Sequence, residues 1–260
     1  MKPSRFPLTV ATLTLIFFYV PILMLVIQSF NEARYGGMWQ GFSLRWYEDL
    51  FQNEAIWRAT RNTTIVAIAT TIISTVLGTI AAWVLHTYQT RLQSFHNLLV
   101  YAPLVVPDIL MGISLLMLFV NLGVGLGLTT IIIAHITFCT SYVALVVLGR
   151  LQDFDFTLLD AAQDLGARWP TILWRVLLPL LGPGIAAGGL LAFTLSIDDF
   201  VITFFVAGPG SSTLPVHVYS MMKHGTPTLI NALSVVFMAV TFSIVILSQK
   251  LTGQTTPAHS

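Results

Sequence analysis

Three aspartates stand where a membrane-embedded helix has little reason to keep them. Asp198 and Asp199 lie side by side in the apolar run "FTLSIDDFVITFFVAG", and Asp108 lies in "YAPLVVPDILMGIS". A carboxylate at the centre of a lipid-facing helix costs about 2.5–3.5 kcal/mol on insertion scales, so three facing lipid would cost about 8–10 kcal/mol. That is comparable to the whole net stability of a typical domain. The acids must therefore face a cavity, a partner or one another. The same runs hold almost no basic side chains, so the chemistry they suit is attraction of a travelling cation. Ser196 and Thr203 add hydroxyls nearby, and Tyr142 and Phe193, with Phe119 and Phe200, offer ring faces for cation–π contact. Neighbouring residues on a helix diverge by about 100°, so Asp198 and Asp199 point in different directions. Ser196, Asp199 and Thr203 fall on one stripe, Thr194 and Asp198 on another. One acid then lines a route while the other makes structural hydrogen bonds, and the pattern does not say which. Pairing with a basic group of a second subunit, or protonation of the acids, is the structural alternative.

The elements that would hold these residues follow from composition. The chain has 260 residues, 55% hydrophobic and 9% charged, against about 25% charged in a soluble domain. It reads as an all-α integral membrane protein. Apolar runs of about 20 residues predict six transmembrane helices, roughly 7–29, 63–85, 98–120, 128–148, 183–206 and 231–250. Residues 1–260 then form a single transmembrane domain, with no linker to another. The first span, flanked by Lys2 and Arg5, lacks a convincing cleavage site and is expected to stay as an anchor. On that layout Asp108 falls near the middle of the third span, after Pro107 and with Pro103 one turn earlier, where the helix is weakened. Asp198 falls about four residues past the middle of the fifth. Gly78 and Ala82 form a small-xxx-small pair for close packing of the second.

Several functions are excluded or disfavoured. The net charge of +1 argues against a nucleic-acid partner. No G-x-x-x-x-G-K-[ST] occurs, so a Walker loop is absent and any ATP must be hydrolysed elsewhere. Gly123, Gly125 and Gly127 in "LGVGLGL" lack the strand and helix of a dinucleotide site and read as a tight turn. His135 and the single cysteine, Cys139, stand at i, i+4, but two ligands are too few for a metal centre. No metal or cofactor is expected in this chain, and no catalytic constellation is present.

Two long loops remain. In residues 30–62, Ser43 would cap a short surface helix with Leu44, Tyr47, Leu50 and Phe51 on one face. The other, 149–182, reads "GRLQDFDFTLLDAAQDLGARWPTILWRVLLPLLGP". Thr157 and Asp160 suggest a capping box. Leu158, Ala162 and Leu165 make an apolar face, and Gly166 a C-cap. Trp169, before Pro170, should turn the chain, and a second short helix should stop near Pro179 and Pro183. Basic residues give only a weak orientation. Lys2, Arg5, Arg91, Arg150, Arg168, Arg175 and Lys250 fall inside, and Arg34, Arg45, Arg58, Arg61 and Lys223 outside.

The loop resembles that of permease subunits of binding-protein-dependent ABC importers, which carry Glu-Ala-Ala, three residues, Gly, nine residues, Ile-x-Leu-Pro. Here it reads Asp160-Ala161-Ala162, three residues, Gly166, nine residues, Val176-Leu177-Leu178-Pro179. Asp for Glu and Val for Ile are mild departures. The resemblance implies a type I importer (MetI-like) permease fold and a cytoplasmic coupling helix in which Asp160, Ala161, Ala162, Gly166 and Pro179 mark the ATPase contact. "SFNEARYGGMWQGFSLRWYEDL", "VVPDILMGISLLMLF", "AHITFC" and "FTLSIDDFVITFFVAGP" extend the likeness to PotC-type permeases of spermidine/putrescine importers, with the similar putrescine-specific PotI-type as the alternative. That implies a second, PotB-like permease, two copies of a cytoplasmic ATPase subunit, a periplasmic or extracellular polyamine-binding protein, and surrounding lipid. It also implies a multi-pass protein of the bacterial cytoplasmic (inner) membrane with both termini inside. Asp108, Asp198, Asp199, Ser196, Thr203, Tyr142 and Phe193 become candidate pathway residues. Transport of another organic cation or small solute, or a proton-coupled secondary transporter with relaying aspartates, stays open as the alternative.

Overall fold

The computed structural model describes residues 6–35, 37–88, 91–223 and 227–253, with residues 6, 8 and 244–253 described by backbone alone. Among them the regular structure is helical, with one isolated β-bridge between Asn31 and Phe42. Two compact units are formed, residues 1–57 with 218–260, and residues 58–217.

In the first unit α1, Phe6–Ser29, is an uncharged apolar run whose described side chains are mostly exposed until its last turns. It packs with α12, Pro227–Gly253, and α12 with α2, Arg45–Gln52. The face of α2 differs from expectation. Trp46 and Leu50 are buried, while Leu44 and Phe51 are exposed and Tyr47 is half-buried. The cause is a contact from outside the helix: the Trp46 indole N–H donates to the Asn31 carbonyl at 2.9 Å. Asn31 itself is fully buried and braces the loop through Met38 and Gln40.

The second unit carries the aspartates. It holds most of α3, Glu54–Thr87, and then α4, Gln93–Val105, α5, Asp108–Asn121, and α6, Leu128–Gln152. The loop helices α7, Thr157–Asp164, and α8, Trp169–Ile172, lead through a π-helical turn, Leu173–Leu177, into α9, Leu178–Asp198. After it come α10, Val201–Val206, and α11, Leu214–Lys223, whose end passes into the first unit. Helix α6 is the axle, with Ile131, Cys139, Val143, Val147 and Leu151 fully buried. Gly78 lets α3 approach it closely. A Cβ there would stand 2.6 Å from the Val143 Cβ, and Ala82 on the same face is fully buried.

Among the described residues, four helices are long and apolar enough to cross a membrane: Thr9–Ser29, Glu54–Thr87, Leu128–Gln152 and Trp169–Asp198. The expected span 98–120 is instead a broken pair, α4 and α5, bent by 110°. Val106 and Pro107 are extended (ψ 126° and 136°), as a residue before proline prefers and as a missing N–H allows. Counted as one span the pair makes a fifth. The sixth, 231–250, falls in α12, of which residues 244–250 lie beyond the side chains described. The fifth expected span, 183–206, is shifted: the helix starts earlier and ends at Asp198, because Asp199 turns extended (ψ 124°). Pro179 and Pro183 do not stop it. Pro179 occupies the first turn of α9, where its missing N–H costs little, and the π turn shifts the ladder so that Leu178 N–H reaches the Leu173 carbonyl.

Candidate functional site

Every one of the three acids sits at a helix break, and each break has a local cause. Asp108 opens α5 directly after the extended Val106-Pro107 step, where the helix dipole favours a negative charge. Asp198 closes α9, and Asp199 leaves the helix to cap α10. The Asp199 carboxylate accepts the Thr203 N–H at 2.8 Å and the Ile202 N–H at 3.3 Å, and Thr203 Oγ1 donates to it at 2.8 Å. A six-residue helix has almost no stability of its own, so this cap and the packing of α10 on α5 and α6 hold it in place.

Beneath the break lies His135 of α6, fully buried. Its Nε2 is 3.1 Å from Asp199 Oδ2 and 2.9 Å from Thr203 Oγ1, and its Nδ1 is 2.8 Å from Ser196 Oγ. The network closes when Nε2 carries the proton and donates toward Asp199, while Ser196 donates to Nδ1, a tautomer assigned from the network itself. Buried polar groups are costly unless all are satisfied in this way. The Cys139 thiol, one turn along, points elsewhere and donates to the Ala192 carbonyl at 3.6 Å.

A cavity of about 310 Å³ opens above this network. Asp108, Tyr142, Phe138, Asp198, Asp199 and Phe200 line it, together with Thr194. Asp199 is tied to His135, but Asp108 and Asp198 are exposed and neither enters an ion pair among the described residues. Two carboxylates from opposite breaks thus converge, with rings beside them, on a space without basic side chains.

The sequence-predicted residues divide accordingly. Asp108, Asp198, Asp199 and Tyr142 meet at the cavity. Ser196 and Thr203 are 3% and 0% exposed and belong to the buried network. Their convergence with Asp199 holds, but through a broken helix rather than along one helical stripe. Phe193 is half-buried and Phe119 is core, and neither lines the cavity. His135 and Phe138 were not foreseen as parts of the site. The signal available was that His135 is itself an ionisable group inside a span, which needs a partner.

The second candidate region is the loop helix α7. The expected capping box does not form. Thr157 instead gives its N–H and hydroxyl to Asp155 Oδ1, at 3.0 and 2.7 Å. The hydroxyl bond first, and then the backbone one, hold the Asp155 carboxyl below its ordinary 3.8. The expected inward face is also rotated: Leu159 is buried, while Leu158 and Leu165 are 45% and 89% exposed. The reason is the aromatic base under α7, where Phe156 meets Trp83 and His86, and Trp169 meets Trp83. Gly166 takes the left-handed φ of +79° that a C-cap needs, and the Ala167 N–H reaches back to the Ala162 carbonyl at 3.0 Å. The turn before Pro170 falls at Arg168 (ψ 153°), one residue earlier than expected, and Trp169 begins α8. Asp160, Ala161 and Pro179 are exposed and Ala162 is half-buried.

Comparison with known proteins fits this geometry. Residues 74–252 match the family model described as "Binding-protein-dependent transport system inner membrane component". The spermidine/putrescine transport system permease protein PotC of Escherichia coli (strain K12) is 39% identical over 244 residues, covering 94% of this chain and 92% of the relative. The putrescine transport system permease protein PotI of the same strain is 42% identical over 238 residues, covering 89% and 85%. Among solved structures, a chain of a bacterial ABC transporter involved in import of the acidic polysaccharide alginate superposes with TM-score 0.74 at 16% identity. It covers 96% of this chain and 98% of the neighbour, a likeness that shows the fold.

Proposed function

The chain belongs to the binding-protein-dependent transport system inner membrane components, and from that premise we propose that it forms half of the membrane pathway of an ATP-driven polyamine importer. The observation that carries this reading is the pair of carboxylates, Asp108 and Asp198, converging on one cavity with no ion-pair partner among the described residues. A protonated polyamine supplies the missing charge as it passes, and the rings of Tyr142, Phe138 and Phe200 add cation–π attraction worth about 0.5–2 kcal/mol each where desolvated. Asp199 serves the site differently, fixing the break that aims Asp198.

The substrate class is supported by the relatives, which are named for spermidine and putrescine. A second, PotB-like permease completes the pathway. Two copies of a cytoplasmic ATPase drive it, one of them docking on α7 and its Gly166 turn, and a periplasmic polyamine-binding protein delivers substrate. That docking puts α7 and both termini on the cytoplasmic side of the inner membrane. The chain itself hydrolyses nothing.

The test is uptake of labelled spermidine and putrescine by the assembled transporter in liposomes. Asp108→Asn and Asp198→Asn each reduce uptake at least about tenfold if each removes a charge the cation meets, since tenfold corresponds to only about 1.4 kcal/mol. Wild-type uptake and wild-type substrate-stimulated ATP hydrolysis in both variants would remove the basis of the reading.

A further inference from the structure

The proposed pathway gives no task to His135, which is fully buried and is not among the residues lining the cavity. We propose that His135 is the positioning residue of the cavity, holding the Asp198 carboxylate in place by locking the break between α9 and α10. This rests on the pathway reading above and adds to it.

The geometry gives the imidazole three attachments. It is carried by the buried face of α6, beside the buried Ile131, Ala134, Phe138 and Cys139. Its Nδ1 engages Ser196, in the last turn of α9, at 2.8 Å. Its Nε2 engages Asp199 and Thr203, the cap and first turns of α10, at 3.1 and 2.9 Å. Asp198 lies between those two anchorages and shows no polar attachment of its own among the described residues. Its direction is therefore set by Ser196, two residues before it, and Asp199, directly after it, and both are pinned to the same ring. The ring also stands 5.5 Å from that of Phe138, which does line the cavity. Groups that orient the ligands of a metal commonly cost about 10- to 100-fold when removed, and a group that aims a carboxylate at a cation acts by the same logic.

A mere packing role and a positioning role differ in what they disturb. Loss of packing lowers the amount of assembled complex, or its ATP hydrolysis, along with transport. A misdirected Asp198 leaves the ATPase working but loses the cation, so the number of polyamines moved per ATP falls. The readout is that ratio, measured in liposomes with saturating binding protein, for wild type, His135→Leu, His135→Gln, Asp198→Asn and the His135→Leu/Asp198→Asn double variant.

The expected result is a ratio lowered about tenfold in His135→Leu, the lower end of the range for such orienting groups. ATP hydrolysis per assembled complex stays near wild type. His135→Gln, which keeps a donor toward Asp199, recovers most of the ratio. The double variant falls no further than Asp198→Asn alone, because the two changes act on one group. An unchanged ratio in His135→Leu, or a double variant whose loss is the product of the single losses, overturns the proposal. If His135→Leu fails to assemble, Ser196→Ala in the same assay decides. Removing that anchor must lower the ratio by several-fold, and a wild-type ratio overturns the proposal. A silent Asp198→Asn would instead bring down the pathway reading, so the two failures are distinguishable.

Discussion

Three carboxylates that look alike in sequence carry different burdens. Asp199 accepts three hydrogen bonds from its own cap and one from His135, so Asp199→Asn leaves an unmatched buried network and is expected to destabilise by about 1–3 kcal/mol. Thermal unfolding of the purified complex would register this as a lowered midpoint. Asp108→Asn and Asp198→Asn, exposed to the cavity, should leave that midpoint nearly unchanged while losing uptake. Outside the membrane, Asp155 illustrates a titration with a definite sign. Its folded-state pKa is depressed by Thr157, so its contribution is present above the ordinary carboxyl pKa and is lost as pH falls through the folded value. Hydrogen exchange at the start of α7 should therefore quicken at strongly acid pH, and Thr157→Val should remove most of that pH dependence. The pairing of His135 with Asp199 was not legible because 64 residues separate the partners. Neither residue carries a local mark of the other.

At the scale of elements, what sequence reveals is what is local. The Gly166 turn of α7 was legible because its cause, a left-handed backbone, sits in the residue itself. The α4–α5 break was half legible: Pro103 and Pro107 weaken a helix, but only the extended Val106-Pro107 step turns weakness into a 110° bend. The α9–α10 break was not legible at all. No proline or glycine marks it, and the carboxylate that looks like an intruder in the span is what caps the next helix. The rotation of α2 depended on Trp46 reaching Asn31, and that of α7 on an aromatic base drawn from α3. Close packing gives a direct prediction. Gly78→Val places atoms where Val143 already stands, so α3 and α6 must part at a cost of about 1–3 kcal/mol, read as a lower unfolding midpoint with no change of substrate preference.

For the whole molecule, the proposed function assigns two separate tasks, holding a cation at the cavity of α5, α6 and α9 and meeting an ATPase at α7, and asks the fold between them to couple the two. Leu165, the residue that caps the end of α7, is 89% exposed, which suits a side chain meant to be covered by a partner rather than by water. Leu165→Asp should abolish substrate-stimulated ATP hydrolysis and release the ATPase subunits during purification, while the unfolding midpoint of the permease pair stays put. The central claim is narrower: a passing amine neutralises Asp108 and Asp198. Its most direct test is an experimental structure of the assembled transporter trapped with spermidine. An ammonium group lying within about 4 Å of both carboxylates, the ordinary reach of an ion pair, is the result this account predicts. Arginine or lysine side chains of a neighbouring subunit already clamped on Asp108 and Asp198, with the substrate elsewhere, would contradict it.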